Sequence, residues 1–197
     1  MNDPAAQYLD AWRAFAVLTD GVAGSAWGAP TPCSGWSVRQ LVGHVIDGAD
    51  QVQAMLTGQP PLAPLAEPPE LAERVGDDPA AAVRQGVDAL SIALAGWPAG
   101  VTVRSPAGEL PLPQVLLMAL IEPVTHGWDL AVATGQRAAF DDDAVNALLV
   151  GVEQLGDQLA QTGMYAAARP VAHEAPPLLA ARRQRKQSVV RDTGTLD

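Results

Sequence analysis

The chain has 197 residues and a formal net charge of -10, and 48% of its residues are hydrophobic against 17% that are charged. This composition is typical of a globular protein with one sizeable core and excludes a chain that is disordered throughout. The acidic balance argues against general nucleic-acid binding, because a phosphate backbone is met by clustered Lys and Arg.

The first half of the chain predicts three helices. Apolar residues at helical spacing predict a first helix from about Pro4 to Val22 and a second that starts after Ser37, placed as its N-cap, and ends near Gly58. Residues 59–78 are rich in proline and predict a long loop, which is either a lid or a mobile connector. A third helix is predicted from Pro79 to about Trp97.

The second half predicts a hairpin and two further helices. The segment VTVRSPAGELPLP, residues 101–113, is typical of a short hairpin. An apolar fourth helix is predicted from about Pro111 to Thr134, with a kink at Pro123 because proline offers no N–H to the carbonyl of Ala119. A fifth helix is predicted after the acidic residues 141–143, whose charge favours a helix N-terminus.

These elements predict one all-α domain over residues 1–170, and residues 171–197 differ from it. Five of the twelve Lys and Arg residues lie in that last segment, and its basic run shows no apolar periodicity. We expect residues 171–197 to form a divergent basic tail that is poorly ordered, although such a run can also serve as an interaction tail.

A glutamate and a histidine stand four residues apart on the fourth predicted helix. Glu122 and His126 therefore lie on one face, one turn apart. Residues 115–121 before them are all apolar, so this helix is expected to cross the core, where an unpaired carboxylate costs on the order of several kcal/mol. His44 lies on the flank of the apolar stripe of the second helix and could face the same point. Glu122 is thus expected to be protonated, paired or ligated.

Two histidines and one carboxylate, with a position left for water, are a known ligand set of catalytic zinc. A closed structural site built from several thiolates is excluded, since Cys33 is the only cysteine. Spacing alone leaves two other interpretations open. A Glu and a His four residues apart are often a surface pair, and a single His near an apolar face is often a hydrogen-bonded core residue.

Two motifs give the chain a resemblance to a known family. They are TPCSGWSVRQLVGHVIDGADQVQAMLTG, residues 31–58, and EPVTHGWDLAVATG, residues 122–135. Together they resemble the DinB-like superfamily, specifically the metal-binding domain of mycothiol-dependent maleylpyruvate isomerases and their actinobacterial relatives. The resemblance covers roughly residues 5–165. It implies a DinB/YfiT-like four-helix bundle with a metal site on facing helices, to which the elements above add a C-terminal helix and a short hairpin.

Carried over onto this sequence, the resemblance implies the metal ligands His44, Glu122 and His126. The implied ion is divalent, most readily Zn2+, and activates a thiol or water. Mycothiol is the implied thiol cosubstrate, and the implied activity is that of a transferase or isomerase. The isomerase has additional C-terminal sequence that helps to complete its site, so maleylpyruvate isomerisation itself is not expected here. The alternative is a non-catalytic metal-binding or decayed helical-bundle module.

Four further residues are candidates near the predicted ligands. Asp47 and Asp129 each follow a predicted histidine ligand by three residues and could either orient it or hydrogen-bond a neighbouring helix. Trp128 is a further binding candidate. Cys33 is expected to pack with Trp36 near the start of the second helix rather than to react.

The expected partners are a small-molecule thiol and an electrophile, with neither nucleic acid nor a membrane, and a homodimer is left open. The start MNDPAAQYLDAWR lacks the basic and apolar regions of a signal peptide. The longest uninterrupted apolar run, residues 115–121, is far shorter than the roughly twenty residues needed to span a bilayer. We therefore expect a cytoplasmic protein.

Overall fold

A computed structural model describes residues 3–59, 68–97, 100–105 and 108–155. These residues form seven α-helices, a short 3-10 helix and one hairpin, which confirms the predicted all-α architecture with a small hairpin. The α-helices are α1 Pro4–Asp20, α2 Val38–Leu56, α3 Pro68–Arg74, α4 Pro79–Leu94, α5 Leu112–Ala119, α6 Ile121–Thr134 and α7 Asp142–Leu155. The 3-10 helix is Gly24–Ala26, and the strands are β1 Thr102–Ser105 and β2 Gly108–Pro111.

Four of the helices form the bundle that positions the site. Helices α1 and α2 each pack against both α4 and α6, so the four enclose one core. Its largest fully buried side chains include the aromatic residues of α1, namely Tyr8, Trp12 and Phe15. Helix α5 packs on α1, and α7 packs against both of them. The four-helix bundle predicted from the sequence is therefore present.

Helix starts follow the polar residues that the sequence places before them. The Ser37 side chain accepts from the backbone N–H of Gln40, whose own side chain accepts from the backbone N–H of Ser37 in return. Asp78 accepts from the N–H of Ala81 at the start of α4. The Asp141 carboxylate accepts from the N–H of Asp143, 2.8 Å away, before α7. Each side chain satisfies a backbone donor that the first helical turn leaves unpaired.

The predicted loop over residues 59–78 is wrong in part, because it contains helix α3. Leu71 and Val75 are spaced four apart and are 0% and 1% exposed, so one face of this segment is buried. Helix α3 packs on α2, where Gly43 allows the backbone carbonyl of Leu71 to approach closely. A Cβ at position 43 would lie 1.8 Å from that oxygen. Proline-rich composition hid a short amphipathic helix, and residues 60–67 lie outside the described residues.

The predicted fourth helix is two helices, α5 and α6, which meet at Leu120. Pro123 has no N–H to donate to the carbonyl of Ala119, and the helical pattern is interrupted at this point. Leu120 keeps helical angles, φ -56 and ψ -24, and its N–H donates to the carbonyl of Leu116 at 3.0 Å. The helical pattern is therefore broken for one residue near Pro123, and the predicted kink itself stays a prediction.

Among the described residues, Leu112–Thr134 is the one helical segment that is long and apolar enough to cross a membrane by length and composition. About two thirds of its most apolar stretch is buried inside the protein. A core helix of a bundle has this character, because its apolar residues face other helices rather than lipid.

The hairpin that the sequence predicted is present and antiparallel, and the structure places Val103 opposite Leu110. Its turn, residues 106–107, lies outside the described residues. The same holds for residues 156–197, so the predicted end of the last helix, the domain limit at residue 170 and the basic tail of residues 171–197 stay predictions.

Candidate metal centre

The structure brings the three predicted ligands together in the core of the bundle. His44 lies on α2, and Glu122 and His126 lie one turn apart on α6, which packs against α2. The Nε2 atom of His44 is 3.0 Å from Oε2 of Glu122, and the Nε2 atom of His126 is 3.5 Å from the same oxygen. The two imidazole rings are perpendicular, with centroids 5.1 Å apart. Two ring nitrogens thus converge on one carboxylate oxygen.

The cluster is nearly closed to solvent. The side chains of His44, His126 and Glu122 are 9%, 10% and 12% exposed. Gly48, one turn after His44 on α2, makes room for the glutamate, since a Cβ there would lie 3.3 Å from its Cγ. Ionised groups in such a place interact strongly because little water screens them.

A second pair of contacts holds the other nitrogen of the His126 ring. Oδ2 of Asp129 lies 3.2 Å from His126 Nδ1, and the Cys33 thiol donates to the same oxygen at 3.1 Å. Cys33 Sγ is also 3.7 Å from His126 Nδ1. Because Nδ1 faces this carboxylate, Nε2 is the nitrogen that faces Glu122. This arrangement, a histidine held from behind by a carboxylate, is common for metal-binding histidines.

These neighbours change the protonation of His126. Burial by itself lowers the pKa of the ring, but the hydrogen bonds with Asp129 and Cys33 and the negative charge of Glu122 together outweigh burial and raise the pKa of His126 to about 10. A proton on the ring is therefore favoured by the anionic neighbours. A cation that replaces this proton meets the same negative surroundings.

Asp47 and Trp128, the other predicted site residues, are placed differently from one another. Asp47 is buried on α2, 7% exposed, one turn after His44, and either of its predicted roles stays a prediction. Trp128 is half-buried two residues after His126, a spacing at which helix side chains do not face each other. Trp128 stays a predicted binding candidate. The ring of Trp36 is centred 4.7 Å from the ring of His44 and 6.3 Å from that of His126.

Two residues at the site were missed or misjudged from the sequence. Cys33, expected only to pack with Trp36, reaches the buried Asp129 and His126. Tyr8 was not singled out from the sequence, yet burial raises its pKa above the ordinary value, and the charge of Glu122 raises it further. Tyr8 thus brings a protonated phenol into the electrostatic range of the cluster. Its spacing on α1 carries no signal that distinguishes it from a core aromatic.

The arrangement can hold a divalent cation. Two imidazole nitrogens and a carboxylate oxygen are the donor set of many catalytic zinc sites, which keep a further position open for water or substrate. The ligand atoms of His44, Glu122 and His126 all lie within 4.8 Å of one another, and so do those of Cys33, His126 and Asp129. A buried carboxylate between two imidazoles fits a cation, since negative charge at this depth requires a positive partner.

The fold and the cluster together define a class of protein, namely helical bundles with two histidines and one glutamate buried together on facing helices. The family model described as the mycothiol maleylpyruvate isomerase N-terminal domain matches residues 8–131. The chain belongs to this family, which confirms the resemblance drawn from the two sequence motifs.

Two relatives that match nearly the full chain are each named an uncharacterized protein. Two proteins of Mycobacterium tuberculosis, from strains CDC 1551 / Oshkosh and ATCC 25618 / H37Rv, are each 32% identical over 179 residues. The alignment covers 89% of this chain and 92% of each relative.

Two solved structures share the fold. They are crystal structures of the mycothiol-dependent maleylpyruvate isomerase and of a histidine-to-alanine mutant of it, with TM-scores of 0.64 and 0.65. Each is 18% identical and matches 81% of this chain and 71% of its own. At this identity the likeness concerns the fold.

Proposed function

We propose that this protein binds one divalent metal ion, most readily zinc, through His44, Glu122 and His126, and activates a low-molecular-weight thiol for a transferase or isomerase reaction. The observation that carries the proposal is the convergence of both Nε2 atoms on one oxygen of Glu122, at 3.0 and 3.5 Å. The three side chains come from three separate turns on two helices. The helix propensities of the residues alone would not bring them together.

A bound metal ion would supply Lewis acidity, lowering the pKa of a thiol or water at the open position so that the anion forms near neutral pH. The protein's own residues supply the rest. Asp129 accepts at His126 Nδ1 and so keeps Nε2 directed at the centre. Trp36 lies against the ring of His44, with the ring centroids 4.7 Å apart. The depth of the cluster keeps the electrostatic interactions there strong.

A thiol is the proposed cosubstrate because the chain belongs to a family named for a mycothiol-dependent enzyme. Mycothiol is therefore the first thiol to test. Maleylpyruvate is not proposed as the substrate, since the structural match leaves more than a quarter of the isomerase chain without a counterpart, at 71% coverage. The electrophile is proposed only by class, as a small molecule that accepts a thiolate.

The first experiment measures metal content by mass spectrometry on untagged protein, for wild type, His44→Ala and His126→Ala. His173→Ala is the matched control, because it removes the remaining one of the three histidines, one that belongs to neither motif. We expect about one equivalent of metal in wild type and in the control, and loss in both site variants. No metal after reconstitution with zinc, nickel or iron would leave a non-catalytic helical module in which the triplet is a core ion pair.

A second experiment tests the thiol. Protein loaded with Co2+ is titrated with mycothiol, and a thiolate-to-cobalt absorption band in the near ultraviolet is expected if the thiol takes the open position. Conjugation of mycothiol to a bimane electrophile is then followed with and without metal. Metal binding without a thiolate band or metal-dependent conjugation would favour the non-catalytic module.

A further inference from the structure

The turn before α2 contacts both histidines of the centre through two different side chains. Trp36 lies against the ring of His44, whereas Cys33 reaches the carboxylate that contacts His126. The backbone of this turn is tied to itself by Thr31, whose hydroxyl accepts from the N–H of Cys33 at 3.1 Å and donates to the carbonyl of Trp36 at 3.0 Å. The direction of the Cys33 side chain is thus set by a compact turn.

We propose that Cys33 is a positioning residue of the metal centre: it donates its S–H to Oδ2 of Asp129 and holds that carboxylate where it orients His126. The inference rests on the proposed function, since it assigns Cys33 a part in binding the same ion. Cys33 is not one of the three proposed ligands. It acts through Asp129, 96 residues away in the chain.

The direction of the hydrogen bond follows from the two groups. An ionised carboxylate only accepts, so the thiol is the donor at the observed 3.1 Å. Asp129 is 2% exposed, and a carboxylate at that depth needs donors to offset its lost hydration. One oxygen, Oδ2, contacts both Cys33 and His126. A change in the donor at Cys33 therefore alters the position of the oxygen that faces His126 Nδ1.

A competing assignment uses the same atoms. The thiol of Cys33, Nδ1 of His126 and the carboxylate of Asp129 lie close enough to hold a second cation themselves. The hydrogen-bond assignment needs no second ion. It predicts that a serine, which also donates, replaces Cys33 well, whereas a ligand role predicts that serine fails, because zinc prefers thiolate to hydroxyl.

The test is a double-mutant cycle on the full chain with Cys33→Ala, Cys33→Ser, Asp129→Asn and the double variant Cys33→Ala/Asp129→Asn. Zinc affinity is measured by competition with a chromogenic chelator, and zinc stoichiometry by mass spectrometry. Urea unfolding of chelator-treated protein reports folding separately. We expect about a tenfold to hundredfold loss of affinity in Asp129→Asn, as for other residues that orient metal ligands. A smaller loss, about threefold to tenfold, is expected in Cys33→Ala, with Cys33→Ser near wild type.

The decisive result is the coupling. If Cys33 acts through Asp129, removing its thiol changes zinc affinity little in the Asp129→Asn background. Additive losses, or a Cys33→Ser variant as weak as Cys33→Ala, would overturn the inference. So would two equivalents of zinc in wild type with one lost in Cys33→Ser, which would make Cys33 a ligand. Wild type that binds none of zinc, nickel and iron removes the proposed function and this inference together, whereas normal zinc binding without coupling removes the inference alone.

Discussion

Substituting Gly43 by alanine tests the packing of α3 on α2 directly beside the site. Gly43 precedes His44 on α2, and a Cβ at position 43 would lie 1.8 Å from the carbonyl oxygen of Leu71 and 2.7 Å from its carbonyl carbon. The obstacle is backbone, which cannot rotate away as a side chain can. We therefore expect α3 to be displaced from α2 in Gly43→Ala.

The size of the effect follows from what α3 buries. Leu71 and Val75 are 0% and 1% exposed, and burying one such side chain contributes roughly 1.5–3 kcal/mol, so full displacement costs about 3–6 kcal/mol. Displacement of α3 in the variant would also weaken the hydrogen bonds that Arg39 donates to the carbonyls of Ala72 and Gly76. Part of this loss is offset, because alanine in a helix interior is more favourable than glycine by about 1 kcal/mol of folding free energy. A net loss of about 2–5 kcal/mol is expected.

The assay is urea unfolding of chelator-treated protein, followed by far-ultraviolet circular dichroism. Gly86→Ala on α4 is the matched control, because a Cβ there meets no other atom within 4 Å. We expect Gly86→Ala to stabilise the protein by about 0.5–1 kcal/mol through helix propensity alone. If Gly43→Ala were as stable as wild type, or gained as much as Gly86→Ala, the close approach of α3 to α2 would be refuted.

Three further predictions concern the centre. Glu122→Gln removes the negative charge that contacts both histidines. We expect it to weaken zinc binding by about a hundredfold or more, which is the size of breaking a buried ion pair. A loss under threefold in chelator competition would contradict the role of Glu122 as a ligand. The raised pKa of His126, about 10 against 6.5 in the unfolded chain, stabilises chelator-treated protein fully below pH 6.5. That stability is lost as the pH rises towards 10, and a flat profile of unfolding free energy over this window, or the same slope in His126→Gln, would count against it. Pro123→Ala restores an N–H for the carbonyl of Ala119, and we expect it to join α5 and α6 into one helix. Amide hydrogen exchange follows the helix, and chelator competition is expected to show little change in metal affinity. A helix that is still broken would mean that packing, not proline, causes the break.

Helix positions were largely predictable because their causes are local. The N-cap residues Ser37, Asp78 and Asp141 each act within one turn, so the sequence around them shows where α2, α4 and α7 begin. The break near Pro123 was predictable for the same reason. Helix α3 was not, because Leu71 on the helix and Val75 directly after it are buried by contact with the rest of the fold and the surrounding prolines resemble a loop.

The same distinction between local and tertiary causes applies to the candidate site. The sequence by itself determined that Glu122 and His126 share a helix face, since spacing on one helix sets their relative position. Only the tertiary structure decided that His44 meets them, because the rotation and crossing of α2 against α6 depend on packing along their whole length. It also decided that Trp36 lies against the ring of His44, and that Cys33 meets Asp129 across 96 residues. Contacts between distant segments follow from how helices pack, and no local pattern in the chain encodes that arrangement.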